Sequence, residues 1–101
     1  MAHKIVFRPT AAEDLKQLYL YIADEAGHDR AGAYLERIEA ACMALQTFPE
    51  RGTVRDRVLP GLRIIGFERS AAIAFRVTGD TVEVLRILRR GQDIPDAWPG
   101  D

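Results

Sequence analysis

Two amphipathic helical segments, separated by only two or three residues, constrain most strongly what this chain can fold into. In the first segment, apolar residues recur with the spacing of one helix face, at Leu15, Leu18, Tyr19, Ile22 and Ala26. In the second segment, the same spacing runs through Ala31, Tyr34, Leu35, Ile38, Cys42 and Leu45. Because so short a connection joins them, we expect an antiparallel helical hairpin with facing stripes, which must bury its apolar side against another layer.

The first helix is predicted over residues 11–26. The sequence Thr-Ala-Ala-Glu from Thr10 to Glu13 is typical of a capping box, in which each of these two side chains satisfies an otherwise orphan backbone donor. Gly27 is well placed to close the helix in a left-handed conformation. These signals predict both ends of the helix.

The second helix is predicted to begin after Asp29 as its N-cap. It ends at Phe48, because a residue that precedes proline avoids helical geometry. Residues 49–61 then read as a loop, since they contain Pro49, Gly52, Pro60 and Gly61.

Four strands are predicted, the first over residues 4–8. The other three, joined by tight turns, are Leu62–Phe67, Ala71–Thr78 and Thr81–Arg89. The order is therefore strand, helix, helix and a three-stranded antiparallel meander. This order predicts an α+β fold in which the helical hairpin packs on one face of a small sheet, and the other face is solvated or binds a partner.

The last strand has apolar residues on both faces, which favours a central position in the sheet. Strict alternation along this strand places Ile87 on the opposite face from Val82 and Val84. The same alternation separates Arg86 from Arg89, so that the two arginines face opposite sides.

The length of 101 residues suits one domain, predicted over residues 1–95, and residues 96–101 read as a loosely held tail in which Trp98 can dock back. No apolar run reaches the length of a membrane span, and the N-terminus lacks a secretory cleavage site. The one cysteine, Cys42, excludes an internal disulfide and offers no zinc cluster. We expect a cytoplasmic protein without metal or cofactor, with Cys42 in the core.

Charge is distributed unevenly along the chain. Residues 1–50 carry five basic and eight acidic side chains, whereas residues 51–90 carry nine arginines, no lysine and four acids. The guanidinium group is a planar fork of donors that matches carboxylates and phosphates. The second stretch therefore predicts a surface for an acidic partner or a nucleic acid. High-GC coding explains the choice of arginine over lysine equally well, but not the clustering.

Several segments, in this order and spacing, resemble the ParE branch of the RelE/ParE toxin superfamily. They are Pro9 to Leu15, Tyr21 to Ala23, Ala44 to Gly52, Pro60 to Arg63, Val84 to Leu88 and Gln92 to Ile94. Together they cover roughly residues 5–94. Many ParE-like sequences carry His or Tyr near the end of the last strand, where this chain has Arg89.

The resemblance implies the toxin of a type II toxin–antitoxin pair. ParE-type toxins poison DNA gyrase (its A subunit is the expected target), whereas RelE-type relatives cut messenger RNA on the ribosome. A cognate ParD-like antitoxin wraps the toxin with its C-terminal segment. Its N-terminal part binds operator DNA, so the toxin reaches operator DNA only indirectly.

Within this resemblance, the arginines on or next to the predicted strands are the expected target-binding residues, and some of them should line the sheet face away from the helices: Arg63, Arg86, Arg89 and Arg90. The alternative is that they pair with neighbouring carboxylates, an arrangement worth little at a surface. For the antitoxin, the expected contacts are Leu18, Leu20 and Tyr21. Leu20 and Tyr21 lie off the main helix stripe, where exposed apolar side chains form a groove, although a widened core stripe is an equal alternative.

No catalytic residues are assigned. Cleavage of RNA needs a base and an acid, and the histidines, His3 and His28, lie outside the predicted meander. Arginine, with a pKa above about 12, is a poor proton donor near neutral pH. These residues favour a non-enzymatic toxin. A ribosome-dependent messenger RNA endonuclease and an inactive toxin that retains only antitoxin binding are the alternatives.

Overall fold

The computed structural model describes residues 3–92. Its strands are β1 (Lys4–Phe7), β2 (Thr53–Val54), β3 (Leu62–Phe67), β4 (Ala71–Thr78) and β5 (Thr81–Arg89). Its helices are α1 (Pro9–Ala26) and α2 (His28–Met43), the latter followed by one 3-10 turn, Ala44–Gln46. The three strands of the meander have the predicted bounds. The predicted tail, with Trp98, lies outside the described residues.

The five strands form one mixed sheet in the order β1-β5-β4-β3-β2, with the helical hairpin against one face. The predicted α+β architecture is thereby confirmed. β1 runs parallel to β5, with Lys4 opposite Thr81 and Phe7 opposite Val84, while the other pairs are antiparallel. This parallel pairing makes β5 a central strand over its first half.

The strand β2 lies inside the segment predicted as a loop, residues 49–61, and pairs with β3. Gly52 precedes it with φ 82°, and a Cβ atom at this position would collide with the backbone carbonyl of Ile64. Glycine therefore permits both the turn and the close approach of the two backbones. The sequence missed β2 because two paired residues leave no readable alternation.

The predicted capping box at the start of α1 is wrong. The helix begins at Pro9 with Arg8 as N-cap and without a side-chain capping hydrogen bond, and Thr10 lies within the first turn. Proline is well suited to the first helical position, since it lacks the N–H that would be unsatisfied there. The carboxylate of Glu13 instead accepts a hydrogen bond from Gln17 Nε2 at 3.0 Å.

Gly27 joins the two helices, serving as C-cap of α1 and N-cap of α2. Its φ of 93° is positive as predicted, but its ψ of 163° is extended rather than left-handed helical. The N-cap prediction for Asp29 is therefore wrong, because this residue lies in the first turn of α2. There its negative charge interacts favourably with the helix dipole.

The main core lies between the helical hairpin and the sheet, and its largest fully buried side chains include Phe75, Ile38 and Leu45. A second, smaller apolar cluster lies on the opposite face of the sheet, built on Leu62, Ala74 and Leu85 and covered by Val58 and Leu59. The face away from the helices is therefore partly covered by residues of the β2–β3 connection. It is not the bare surface that the sequence predicts.

A β-bulge in β5 breaks the predicted alternation. Ala74 lies opposite Arg86, but the next residue, Phe75, lies opposite Val84, so that Leu85 is the extra residue. Ile87 consequently joins Val84 in the helix-facing core, while Leu85 packs on the other face. The prediction that Ile87 and Val84 lie on opposite faces of the sheet is wrong for this reason.

Candidate functional site

A groove of about 790 Å³ lies where the helical hairpin meets the β3–β4 turn and the end of β5. We call it the arginine groove, because five arginines line it: Arg30, Arg37, Arg69, Arg89 and Arg90. Its apolar lining includes Leu18, Tyr21 and Ile22 from α1. Glu68 is the single acidic residue among its described lining residues.

Glu68 and Arg37 form a bidentate ion pair across the groove. Arg37 Nε donates to Glu68 Oε2 at 2.8 Å, and Nη2 donates to Oε1 at 3.1 Å. These hydrogen bonds lower the pKa of Glu68 and raise the pKa of Arg37. Both side chains are well exposed, so the pair orders the arginine more than it stabilises the fold.

Tyr34 anchors the β3–β4 turn beside this pair. Its hydroxyl is 2.7 Å from Ser70 Oγ, and its ring packs edge-on against Phe67 with centroids 5.5 Å apart. The guanidinium of Arg37 lies over the same ring at 5.5 Å. Because the tyrosine is buried, it holds the turn and the arginine against a rigid support.

Arg89 and Arg90 reach the groove from the end of β5. The guanidinium of Arg89 lies 4.8 Å from the ring centroid of Tyr21, a cation–π contact. The backbone N–H of Arg89 donates to Gln92 Oε1 at 3.0 Å, and that of Arg90 donates to the carbonyl of Ser70 at 2.9 Å. Arg89 and Arg90, which were predicted to bind the target, therefore line the same groove as Tyr21, which was predicted to bind the antitoxin.

Arg86 lies apart from this groove. Its Nε and Nη2 donate to the carboxylate of Asp14 at 2.7 and 3.1 Å, and Asp14 also accepts the backbone N–H of Ile87 at 2.9 Å. Strand β1 ends at Phe7, opposite Val84, and leaves the second half of this edge of β5 without a strand partner. The carboxylate of Asp14 accepts a backbone hydrogen bond from that part of the edge. Arg86 is largely buried in the contact and contributes to the fold.

Arg63 is also absent from the groove lining. It lies opposite Phe75, which belongs to the helix-facing core, and its Nη1 is 3.4 Å from the carbonyl of Arg51. Cross-strand partners share a face, so Arg63 lies on the helix side of the sheet near β2. Arg63 and Arg86 therefore lie apart from Arg89 and Arg90, and the four arginines predicted for the target do not form one cationic surface.

The residues predicted to bind an antitoxin differ in their exposure and in the grooves that they line. Leu18 is only 5% exposed and belongs to the core, so it offers little more than part of the groove floor. Leu20 and Tyr21 are 48% and 52% exposed, as the groove hypothesis requires. Successive helix residues point about 100° apart, and Leu20 accordingly lines a second, apolar groove with Leu15 and Leu35, whereas Tyr21 lines the arginine groove. Between these two grooves, Leu20 and Tyr21 line a third pocket together with Leu18.

Three groove arginines were not predicted as site residues: Arg30, Arg37 and Arg69. The periodicity of α2 places Arg30 and Arg37 on its solvent side, where the groove opens. The sequence carried a signal for these two residues, because Arg30 and Arg37 are seven residues apart and residues at that spacing lie on the same face of a helix. Arg69 carried no such signal, since a turn residue has no fixed orientation in a sequence pattern.

Neither His28 nor Cys42 lines the arginine groove. His28 Nδ1 is 3.2 Å from the hydroxyl of Tyr19. Cys42 is fully buried, as expected, and burial raises the pKa of its thiol to about 12. Within residues 3–92 there is no group of three His, Cys, Asp or Glu side chains able to hold a metal ion, and neither helix is long and apolar enough to cross a membrane.

Residues 5–94 match the family model described as the ParE toxin of the type II toxin–antitoxin system parDE. The chain belongs to the ParE toxin family. Toxin ParE3 of Caulobacter vibrioides is 33% identical over 88 residues, which are 87% of this chain and 86% of that protein. Toxin ParE1 of Mycobacterium tuberculosis is 28% identical over 95 residues, or 93% and 96% of the two chains.

Solved structures agree with this assignment. A chain of the chromosomal ParDE system from P. aeruginosa superposes on this ParE-family protein with a TM-score of 0.76 and 28% identity, over 87% of this chain and 96% of the other. A chain of the RelBE2 toxin–antitoxin complex from Mycobacterium tuberculosis has a TM-score of 0.65 at 22% identity, over 91% and 95% of the two chains. The latter likeness shows the shared fold alone.

Proposed function

We propose that this ParE-family toxin inhibits growth by binding DNA gyrase, at its A subunit, and poisoning it without breaking bonds itself. The observation that carries the proposal is the arginine groove, in which five guanidinium groups and one carboxylate surround an apolar floor. A concave surface with this excess of positive charge suits acidic groups of a protein or the phosphates of gyrase-bound DNA. Such a partner places the toxin in the cytoplasm.

The groups around the groove favour binding over cleavage. The pKa of Glu68 is lowered by its hydrogen bonds with Arg37, which makes the carboxylate a weaker base. The pKa of Arg37 is raised by the same pair, so that it holds its proton. Tyr34 is buried with its hydroxyl bonded to Ser70, and His28, whose Nδ1 is 3.2 Å from the Tyr19 hydroxyl, does not line the groove.

A cognate ParD-like antitoxin is the proposed neutralising partner. The solved relative from P. aeruginosa is named as a chromosomal ParDE toxin–antitoxin system. Exposed Leu20 and Tyr21 offer neighbouring apolar anchors on α1, next to the positive groove. An antitoxin that covers Tyr21 also covers Arg89, and any contact with operator DNA runs through the antitoxin.

The test is a gyrase cleavage assay with purified toxin and supercoiled plasmid. We expect linear DNA to accumulate with the wild-type protein and not with Arg89→Glu/Arg90→Glu. The matched control is Arg55→Glu/Arg57→Glu, which makes the same charge change on the exposed β2–β3 connection and should retain poisoning. Equal activity of the two double variants would contradict the role of the groove.

The RelE-like alternative has its own measurement, which is cutting of a programmed message in the A site of purified ribosomes. Cuts in that assay, together with no effect on gyrase, would overturn the proposal and make the protein an endoribonuclease. Inactivity in both assays with retained antitoxin binding would identify an inactive toxin.

A further inference from the structure

The β3–β4 turn is built from residues that are poorly suited to it. Glu68 and Arg69, its two central residues, have φ of 48° and 57°, and they are the non-glycine residues with positive φ in residues 3–92. A turn with positive φ at both central positions strongly favours Asn-Gly, because other side chains crowd the backbone there. This chain keeps two long charged side chains in that conformation.

The surroundings hold the turn in place from several sides. The N–H of Ser70 donates to the carbonyl of Phe67 at 3.0 Å, and the Ser70 hydroxyl is 2.7 Å from that of Tyr34. The N–H of Arg90 donates to the carbonyl of Ser70 at 2.9 Å, and Glu68 is held by Arg37. A strained backbone segment that several neighbouring contacts hold in place is typical of a functional surface.

The strained conformation places Arg69 at the arginine groove. Arg37 is already paired with Glu68, whereas the guanidinium of Arg69 has no carboxylate partner within the described residues. Glu68 thereby neutralises one groove arginine and leaves Arg69 available. The turn thus presents a free guanidinium beside the apolar floor formed by Leu18, Tyr21 and Ile22.

We propose that the Glu68–Arg69 turn is the recognition element for an acidic amphipathic peptide segment that lies in the arginine groove. The apolar side of such a segment packs on the floor of the groove, and a carboxylate on the segment accepts the hydrogen bonds of Arg69. The apolar floor favours a peptide over a nucleic acid, since phosphates need no such floor. The proposal rests on the proposed function in one respect, which is that the segment belongs to the antitoxin.

The experiment uses the full-length toxin and, as probe, a synthetic peptide of the C-terminal segment of the antitoxin encoded in the adjacent reading frame. Arg69→Gly should raise Tm by several degrees, because glycine relieves the strained φ, and should weaken peptide affinity about tenfold, the loss expected for one charged hydrogen-bonding group. Arg69→Lys keeps the charge, and we expect it to retain most of the affinity without the gain in Tm.

The control variant, Arg57→Gly, loses the same charge on an exposed residue outside the groove and should bind the peptide within about twofold of the wild type. Unchanged affinity of Arg69→Gly, equal weakening by Arg57→Gly, or no binding of the peptide to the wild type would each overturn the inference. Binding of a single-stranded oligonucleotide in place of the peptide, lost in Arg69→Gly, would also overturn it in favour of a nucleic-acid site. A toxin that leaves gyrase unaffected but shows the expected peptide affinities would refute the gyrase target alone.

Discussion

The guanidinium of Arg89 lies over the aromatic ring of Tyr21, 4.8 Å from its centroid. The arginine comes from the end of β5 and the tyrosine from the middle of α1, and both line the arginine groove. The sequence suggested a different partner for each residue. Because the two side chains form one surface, a macromolecule that binds either residue excludes a second one from the other, so we expect antitoxin and target to compete.

The contact between Tyr21 and Arg89 should appear as energetic coupling. In a double-mutant cycle on the free energy of unfolding, Tyr21→Ala and Arg89→Ala should be non-additive by about 0.5–1 kcal/mol, because either change removes the cation–π contact. Urea unfolding of the four proteins measures the coupling. The same cycle with Tyr19→Ala, whose hydroxyl lies near His28, provides the control and should be additive. Additivity of Tyr21 with Arg89 would show that the contact does not stabilise the folded protein.

Asp14 is expected to matter for folding more than for binding. Asp14→Ala removes a bidentate partner of the mostly buried Arg86 and the acceptor of the Ile87 N–H, and should lower the free energy of unfolding by about 2–4 kcal/mol. Asp14→Asn keeps an acceptor for Ile87 and should cost less. Urea unfolding measures both values. Equal losses in the two variants would mean that the ion pair, and not the edge hydrogen bond, carries the effect.

Gly52 should tolerate no side chain. A Cβ atom there meets the carbonyl of Ile64, and the φ of 82° is itself unfavourable for alanine. We expect Gly52→Ala to lower the free energy of unfolding by about 2 kcal/mol or more and to detach β2. Gly66→Ala in β3 is the matched control, since its Cβ has open space and its φ is ordinary. Thermal unfolding of the two variants should differ clearly; similar midpoints would contradict the close approach.

Cys42 should be chemically silent in the folded protein. Burial raises the pKa of its thiol to about 12, so the reactive thiolate is absent near neutral pH and a thiol reagent reacts only on unfolding. A folded pKa above the unfolded value of roughly 8.5 contributes stability below that pH, and this contribution is lost as pH rises towards the folded pKa. Cys42→Ala should therefore lose less stability than the wild type between about pH 8.5 and 12. Rapid labelling of the native protein at pH 7 would show that the thiol is accessible.

The strand bounds of the meander and the helical hairpin could be predicted from the sequence, because their signals are local. The spacing of Leu18 and Ile22 on a helix face, the turn at Gly79 and the proline after Phe48 each act within a few residues of the chain. The same local reading failed at the helix starts. Helix α1 begins at Pro9 instead of after the predicted cap Thr10, and α2 begins after Gly27 instead of after the predicted cap Asp29. At both starts the backbone geometry of proline or glycine, and not a side-chain hydrogen bond, determines where the helix begins.

The bulge at Leu85 decided which face the end of β5 presents, and no local pattern announces it. A bulge depends on how two strands align, and a single extra residue reverses every side chain beyond it. The reversal brings Ile87 into the helix-facing core, and the ion pair with Asp14, which no pattern along β5 could show, engages Arg86 in the fold.

By itself, the sequence determined both helices, four of the five strands, their order, the family and the excess of arginine in its second half. Only the tertiary structure decided where those arginines lie. The ion pairs that position them join residues far apart along the chain, Asp14 with Arg86 and Arg37 with Glu68. Periodicity describes the faces of one element, whereas a groove is formed by the faces of several, and their alignment is set by packing and strand register.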